Sequence, residues 1–76
     1  MTVLVYSTPT CPYCKKAKEY FATKGVEFQD FDVSSDEAKQ QEMIHKSGGM
    51  AVPVIDIGGT IIVGFDQAKI DAALAK

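Results

Sequence analysis

Val3-Leu4-Val5-Tyr6-Ser7-Thr8-Pro9-Thr10-Cys11-Pro12-Tyr13-Cys14 runs from an unbroken apolar stretch, through a proline-marked turn, into two cysteines separated by two residues. Val3 to Tyr6 is apolar on both faces, the pattern of a central strand buried between layers, so a first strand is expected over residues 2–7. Thr8-Pro9-Thr10 ends it. Pro12 stands where a first helical residue belongs, because its fixed φ and missing NH are both tolerated there. Cys11 then falls at the N-cap, where its sulfur faces unpaired backbone NH groups and the positive end of the helix dipole, which favour thiolate over thiol. Cys14 lies one turn further in and is expected to be less exposed.

Two thiols at this spacing can ligate a metal, close a structural bridge or exchange electrons through a reversible disulfide. A zinc site needs about four ligands, and the chain has no further cysteine and one histidine, His45. A bridge over so short a loop stabilises little in the chain-entropy model. Exchange is the reading favoured, with Cys11 attacking and Cys14 closing the disulfide that ejects the bound product.

Beyond the pair, Cys14, Ala17 and Phe21 recur at helical spacing from Pro12 to Lys24, and Gly25 supplies the left-handed residue that ends the helix. Tyr20 flanks that stripe as a packing residue, while Tyr13 is placed to shield the disulfide or contact a ligand. Val26 to Val33 reads as a second strand, and the intervening helix makes the pair a right-handed parallel βαβ unit. Ser34-Ser35-Asp36-Glu37 matches a capping box opening a second helix, which runs to about Lys46, buries Met43 and Ile44, and stops at Gly48-Gly49. His45, near that end, reads as a satisfied or solvent-facing residue.

Val54 to Ile57 and Thr60 to Val63 flank Gly58-Gly59, a two-residue hairpin signal that makes these strands antiparallel. Asp66 can cap a last helix that continues through Leu74, with Phe65 stapled onto Ile70. Pro53 admits two readings. Proline is tolerated as a strand's first residue, whereas a cis Val52-Pro53 peptide would expose the backbone of Val52 as a pairing edge for an extended peptide. The resulting order is βαβαββα, an α/β fold with one four-stranded mixed sheet flanked by helices, and residues 1–76 are expected to form one domain.

The 76 residues are 46% hydrophobic, which suits a folded chain with little core to spare. A net charge of −2 lacks the electrostatic footprint of a nucleic-acid or anionic-membrane binder. All eight basic residues are lysines, and Lys15, Lys16, Lys18 and Lys24 sit on the first helix. They form a solvated face or a local positive end that steers an anionic thiol substrate. No export signal or spanning segment is visible, so a reducing cytosol, a transient disulfide and a monomer are the expectations.

In these residues the chain resembles the glutaredoxins, small dithiol proteins of thioredoxin-like fold that work with glutathione. Cys11-Pro12-Tyr13-Cys14 is similar to the family's active-site tetrad, Ala51-Val52-Pro53 to its cis-proline loop, and Gly64-Phe65-Asp66-Gln67 to its helix-capping segment. The resemblance covers essentially the whole length. It implies a thiol-disulfide oxidoreductase that takes glutathione as reductant, needs no metal, and acts on glutathionylated or disulfide-containing proteins through Cys11 and Cys14. It further implies a groove in which Tyr13 and Pro53 line the peptide, Val52 pairs with its backbone, Asp66 and Gln67 hold the γ-glutamyl end, and Gln40 faces the glycyl carboxylate. For Gln40 a plain solvent-facing helical position is the alternative.

Two departures from the family pattern bear on the reductant. Thr8 stands where many glutaredoxins carry a lysine, removing a charge-assisted contact worth about 1.5–3 kcal/mol at best. Gly64-Phe65 resembles the Gly-Phe of glutaredoxin-like redoxins that donate electrons to ribonucleotide reductase and are recharged by thioredoxin reductase. A third reading is a metal or iron-sulfur module using Cys11 with ligands from a second chain or glutathione; the resemblance counts against it, since in that family the rigid proline ring that Pro12 matches hinders cluster approach.

Overall fold

Alternate residues of the first strand feed two separate cores, and this divides the molecule into layers. In the computed structural model, which describes residues 2–75, strand β1 (Val3–Ser7) is followed by helix α1 (Pro12–Thr23), β2 (Gln29–Asp32), α2 (Glu37–Ser47), β3 (Val54–Ile57), β4 (Thr60–Val63) and α3 (Gln67–Leu74). The sheet order is β2-β1-β3-β4, with β1 parallel to β2 and antiparallel to β3, and β3 antiparallel to β4. The chain therefore has the expected βαβαββα order and a four-stranded mixed sheet.

Val3 and Val5 point to one face, where they pack with Ala17 and Phe21 of α1, Ile55, Ile57 and Ile62 of the hairpin, and Ile70 and Ala73 of α3. Tyr6 points to the other face and packs with Val33, Met43 of α2 and Val54. Burying each of the large apolar side chains contributes about 1.5–3 kcal/mol against the entropy of ordering the chain. The stripe read from the sequence is the buried face of α1, since Cys14, Ala17 and Phe21 are all fully buried. Tyr20 lies edge-on to Phe65, with ring centroids 5.8 Å apart, and its hydroxyl donates to Asp71, tying α1 to α3.

Helix α1 ends in a Schellman motif. Gly25, at φ +67°, donates its NH to the Ala22 carbonyl, and Val26 donates to the Phe21 carbonyl at 2.9 Å. That second bond corrects the expected strand over Val26 to Val33. Val26 spends its NH on the helix end, so Val26 and Phe28 pack against the core while ladder pairing begins only at Gln29.

The expected capping box is corrected as well. Asp36, not Ser34, is the N-cap of α2, and its carboxylate accepts the Lys39 NH at 3.1 Å. The Ser34 hydroxyl is engaged elsewhere, donating to Asp32 at 2.5 Å. The helix stops where expected, at Gly48 with φ +82°. Gly58 and Gly59 both take positive φ, +56° and +99°, as a two-residue hairpin between right-twisted strands requires.

On the α2 face a polar network ties helix to sheet. The buried Tyr6 hydroxyl donates to Glu42 and accepts from Lys46 at 3.0 Å, and Lys46 also reaches Asp56 of β3 at 2.7 Å. Asp56 in turn accepts the Gly59 NH of the hairpin at 2.9 Å. The Tyr6 phenol is pushed above its ordinary value, chiefly by burial and then by Glu42.

Candidate active site

Cys11 is the N-cap of α1, in extended conformation (φ −94°, ψ 113°), with Pro12 as the first helical residue. Its sulfur accepts the backbone NH of Cys14 at 3.2 Å. An NH donated to sulfur is worth most when the sulfur is negative, so the position suits a thiolate. The turn before it is closed by the Cys11 NH, which donates to the Thr8 carbonyl at 3.3 Å. Cys11 remains partly exposed and Cys14 is fully buried, both as free thiols.

Burial pushes the Cys14 thiol up to about 12, and its hydrogen bond with Cys11 adds to the rise, while the Thr8 backbone and the charge of Lys18 pull the other way. A thiol held so high keeps its proton near neutral pH. The two sulfurs therefore differ in access, one at the rim of the helix and the other beneath it.

Across from Cys11 runs the segment before β3. The Val52-Pro53 peptide is cis, and the Val52 carbonyl lies 3.9 Å from the Cys11 sulfur, within reach of its S–H. The Pro53 carbonyl accepts the Gly64 NH at 2.7 Å, which joins this loop to the chain leaving β4. Gly64 takes φ +84°, a turn that leads straight to Asp66. Asp66 is the N-cap of α3 and accepts the Lys69 NH through Oδ1 at 3.2 Å. Phe65 packs into the core with Ile70, as the staple reading required.

Cys11, Cys14, Val52, Pro53, Asp66 and Gln67 thus belong to three segments that meet at one end of the sheet. Tyr13 is 59% exposed beside them, with the Lys16 ammonium 5.4 Å from its ring centroid. Gln40 is half-buried in the first turns of α2, and among the described residues no hydrogen bond ties its side chain to the other segments. His45 is exposed on α2. Among the described residues no group of three or more His, Cys, Asp or Glu side chains is placed to hold a metal ion.

One constellation escaped the sequence reading. Lys18 is not a purely solvated lysine: its ammonium lies 3.1 Å from Asp30 of β2, and the buried Ser7 hydroxyl donates to the other oxygen of Asp30 at 2.7 Å. The spacing of Lys18 four residues after Cys14 was a visible signal. Nothing local marks Ser7 or Asp30.

Comparison with known proteins bears on the family and the fold. The family profile described as Glutaredoxin matches residues 3–62. An 8.6 kDa glutaredoxin-like protein encoded in a rubredoxin operon of Clostridium pasteurianum is 49% identical over 74 residues, covering 97% of this chain and 99% of its own. Glutaredoxin 3 of Escherichia coli K12 is 44% identical over 65 residues, covering 86% of this chain and 78% of its own. Among solved structures, a buckwheat glutaredoxin-glutathione complex superposes with a TM-score of 0.77 at 28% identity, covering 96% of this chain and 72% of its own.

Proposed function

Because the chain belongs to the glutaredoxin family and is a thiol-disulfide oxidoreductase of thioredoxin-like fold, we propose that it reduces glutathione mixed disulfides and protein disulfides at the expense of glutathione, through Cys11 and Cys14. The Cys11 thiolate attacks the substrate disulfide, taking one sulfur into a mixed disulfide and releasing the other as a thiolate that picks up a proton. A second glutathione thiolate then attacks that mixed disulfide and restores Cys11, leaving oxidised glutathione. Alternatively Cys14 attacks the Cys11 sulfur, expels the bound thiol and leaves an intramolecular disulfide for glutathione to reduce. Each turnover moves two electrons.

The observation that carries this reading is the placement of the Cys11 sulfur, partly exposed at a helix start and opposite the Val52 carbonyl. A peptide thiol bound along Val52 would have its sulfur beside that of Cys11, with Pro53 and Tyr13 beside its backbone. Asp66 and Gln67 at the start of α3 suit an α-amino acid end, NH groups for its carboxylate and the free oxygen of Asp66 for its ammonium. Gln40 would face the opposite carboxylate. The likeness to a structure described as a glutathione complex supports the choice of thiol. We further propose that it acts in the cytosol, as a monomer, on disulfide-containing proteins.

A second reading is favoured by Thr8 and by the Gly64-Phe65 pair. With no cation at position 8, the glutathione contact there is weaker, and an electron-carrier role recharged by thioredoxin reductase becomes the alternative. One experiment separates the two. The oxidised protein is incubated with NADPH and either glutathione plus glutathione reductase or thioredoxin reductase, and absorbance at the NADPH band is followed. Rapid loss only in the glutathione arm supports the first reading; rapid loss only in the thioredoxin reductase arm replaces it with the second.

A further inference from the structure

Cys14 presents a problem that the dithiol reading leaves open. Its sulfur has no exposure to solvent, yet it must become a thiolate to attack the Cys11 mixed disulfide. The backbone NH of Cys14 is donated to the Cys11 sulfur, which leaves the Thr8 backbone as the main-chain group favouring a Cys14 thiolate. A nearby cation would stabilise the second thiolate further.

We infer that Lys18, held by Asp30 and Ser7, is a positioning residue that supplies this charge to Cys14 during disulfide closure. The inference rests on the dithiol reading above. Residues four apart on a helix share one face, with Cβ atoms about 5–6 Å apart, and helical side chains lean toward the N-terminus, so Lys18 leans over the turn that carries Cys14. An unrestrained lysine stem samples many rotamers. Here the ammonium is fixed 3.1 Å from Asp30 Oδ2 while Oδ1 takes the Ser7 hydroxyl at 2.7 Å. Ser7 is 2% exposed and ends β1 immediately before Thr8, so the carboxylate is anchored to the strand that leads into the cysteine turn.

Cys11 pushes the Cys14 thiol up, whereas the Thr8 backbone and the charge of Lys18 pull it down, and of these groups Lys18 is the cation. Asp30, on β2, holds the Lys18 ammonium.

In the closing step the Cys14 thiol releases its proton to water and its thiolate bonds to the Cys11 sulfur. The electron pair of the broken bond departs on the outgoing sulfur, which takes a proton from water. Lys18 keeps its proton throughout.

The test isolates that step. Reduced protein is mixed with Ellman's reagent in stopped flow: the first phase is attack by Cys11, and the second is release of thionitrobenzoate as Cys14 closes the disulfide. Lys18→Met, which keeps the apolar stem, is expected to slow the second phase about three- to tenfold relative to the first and to move its pH midpoint upward, while Lys18→Arg retains the original ratio. An unchanged ratio and midpoint in Lys18→Met overturns the inference. So does equal slowing of both phases by Lys18→Met and Lys18→Arg, which marks a packing role. A missing second phase in the unsubstituted protein, or its persistence in Cys14→Ser, would instead overturn the dithiol reading itself.

Discussion

The Cys11 sulfur lies 3.9 Å from the carbonyl oxygen of Val52, a residue 41 positions further along the chain. The sheet register produces this approach. Tyr6 of β1 pairs with Val54 of β3, and Val54 pairs with Val63 of β4, so the segments just beyond these residues emerge at the same sheet end. Cys11, Val52 and Gly64 all belong to those segments. A rigid sheet therefore sets the spacing across the candidate groove.

The sulfur at the helix start and the sulfur beneath it should have separable roles. Cys11→Ser is expected to abolish turnover with a glutathionylated substrate. Cys14→Ser is expected to retain that turnover and to lose reduction of protein disulfides such as insulin's. Assays of both variants on both substrates check this, and full turnover by Cys11→Ser would end the assignment.

Burial of Cys14 should be visible as selective alkylation. With its thiol pushed up to about 12, iodoacetamide at pH 8 is expected to label Cys11 alone in the folded protein and both cysteines in urea, as read by peptide mass. The same shift has a sign for stability. Between the unfolded thiol's ordinary value and about 12, the folded chain binds more protons than the unfolded one, so this group's contribution is complete below that window and is lost as pH rises through it. In denaturant melts, Cys14→Ala should show a shallower alkaline loss of stability than the unsubstituted chain.

Asp66 combines a cap with a proposed binding charge, and two substitutions separate them. Asp66→Asn keeps a side-chain oxygen for the Lys69 NH and should unfold like the parent, whereas Asp66→Ala should lose about 1 kcal/mol. Both remove the carboxylate and are expected to raise KM for glutathione about tenfold or more, the range of a charge-assisted contact. An unchanged KM in Asp66→Asn would remove this residue from the binding groove.

On the opposite face, Tyr6→Phe deletes a buried hydroxyl that donates to Glu42 and accepts from Lys46. The expected cost is about 1–2 kcal/mol in urea unfolding, with thiol exchange unaffected because the network lies across the sheet from α1. The Tyr6 hydrogen bond holds the Glu42 carboxyl below its ordinary value. This contribution is present above the ordinary carboxylate range and is lost as pH falls through the depressed value, so the difference between Tyr6→Phe and the parent should shrink in acid.

Local chemistry carried a large part of this molecule into view. Pro12 at the first helical position, Asp66 as a cap, the Cys14-Ala17-Phe21 stripe and the Gly58-Gly59 turn each follow from steric or hydrogen-bonding preferences acting within a few residues, and each stands where the pattern put it. The misread elements are those where two local preferences competed. Val26 had strand character, but its NH was taken by the helix it follows; Ser34 was a good cap, but Asp32 claimed its hydroxyl and left Asp36 to the helix.

What the amino-acid order determined alone was the succession of strands and helices, the faces they bury and the pair of thiols at a helix start, because periodicity, capping and proline geometry are short-range. The meeting of Cys11 with Val52 and the anchoring of Lys18 by Asp30 and Ser7 were decided only on folding. Those relationships join residues 12 to 41 positions apart, and their partners are selected by sheet register and helix docking, which no local preference encodes.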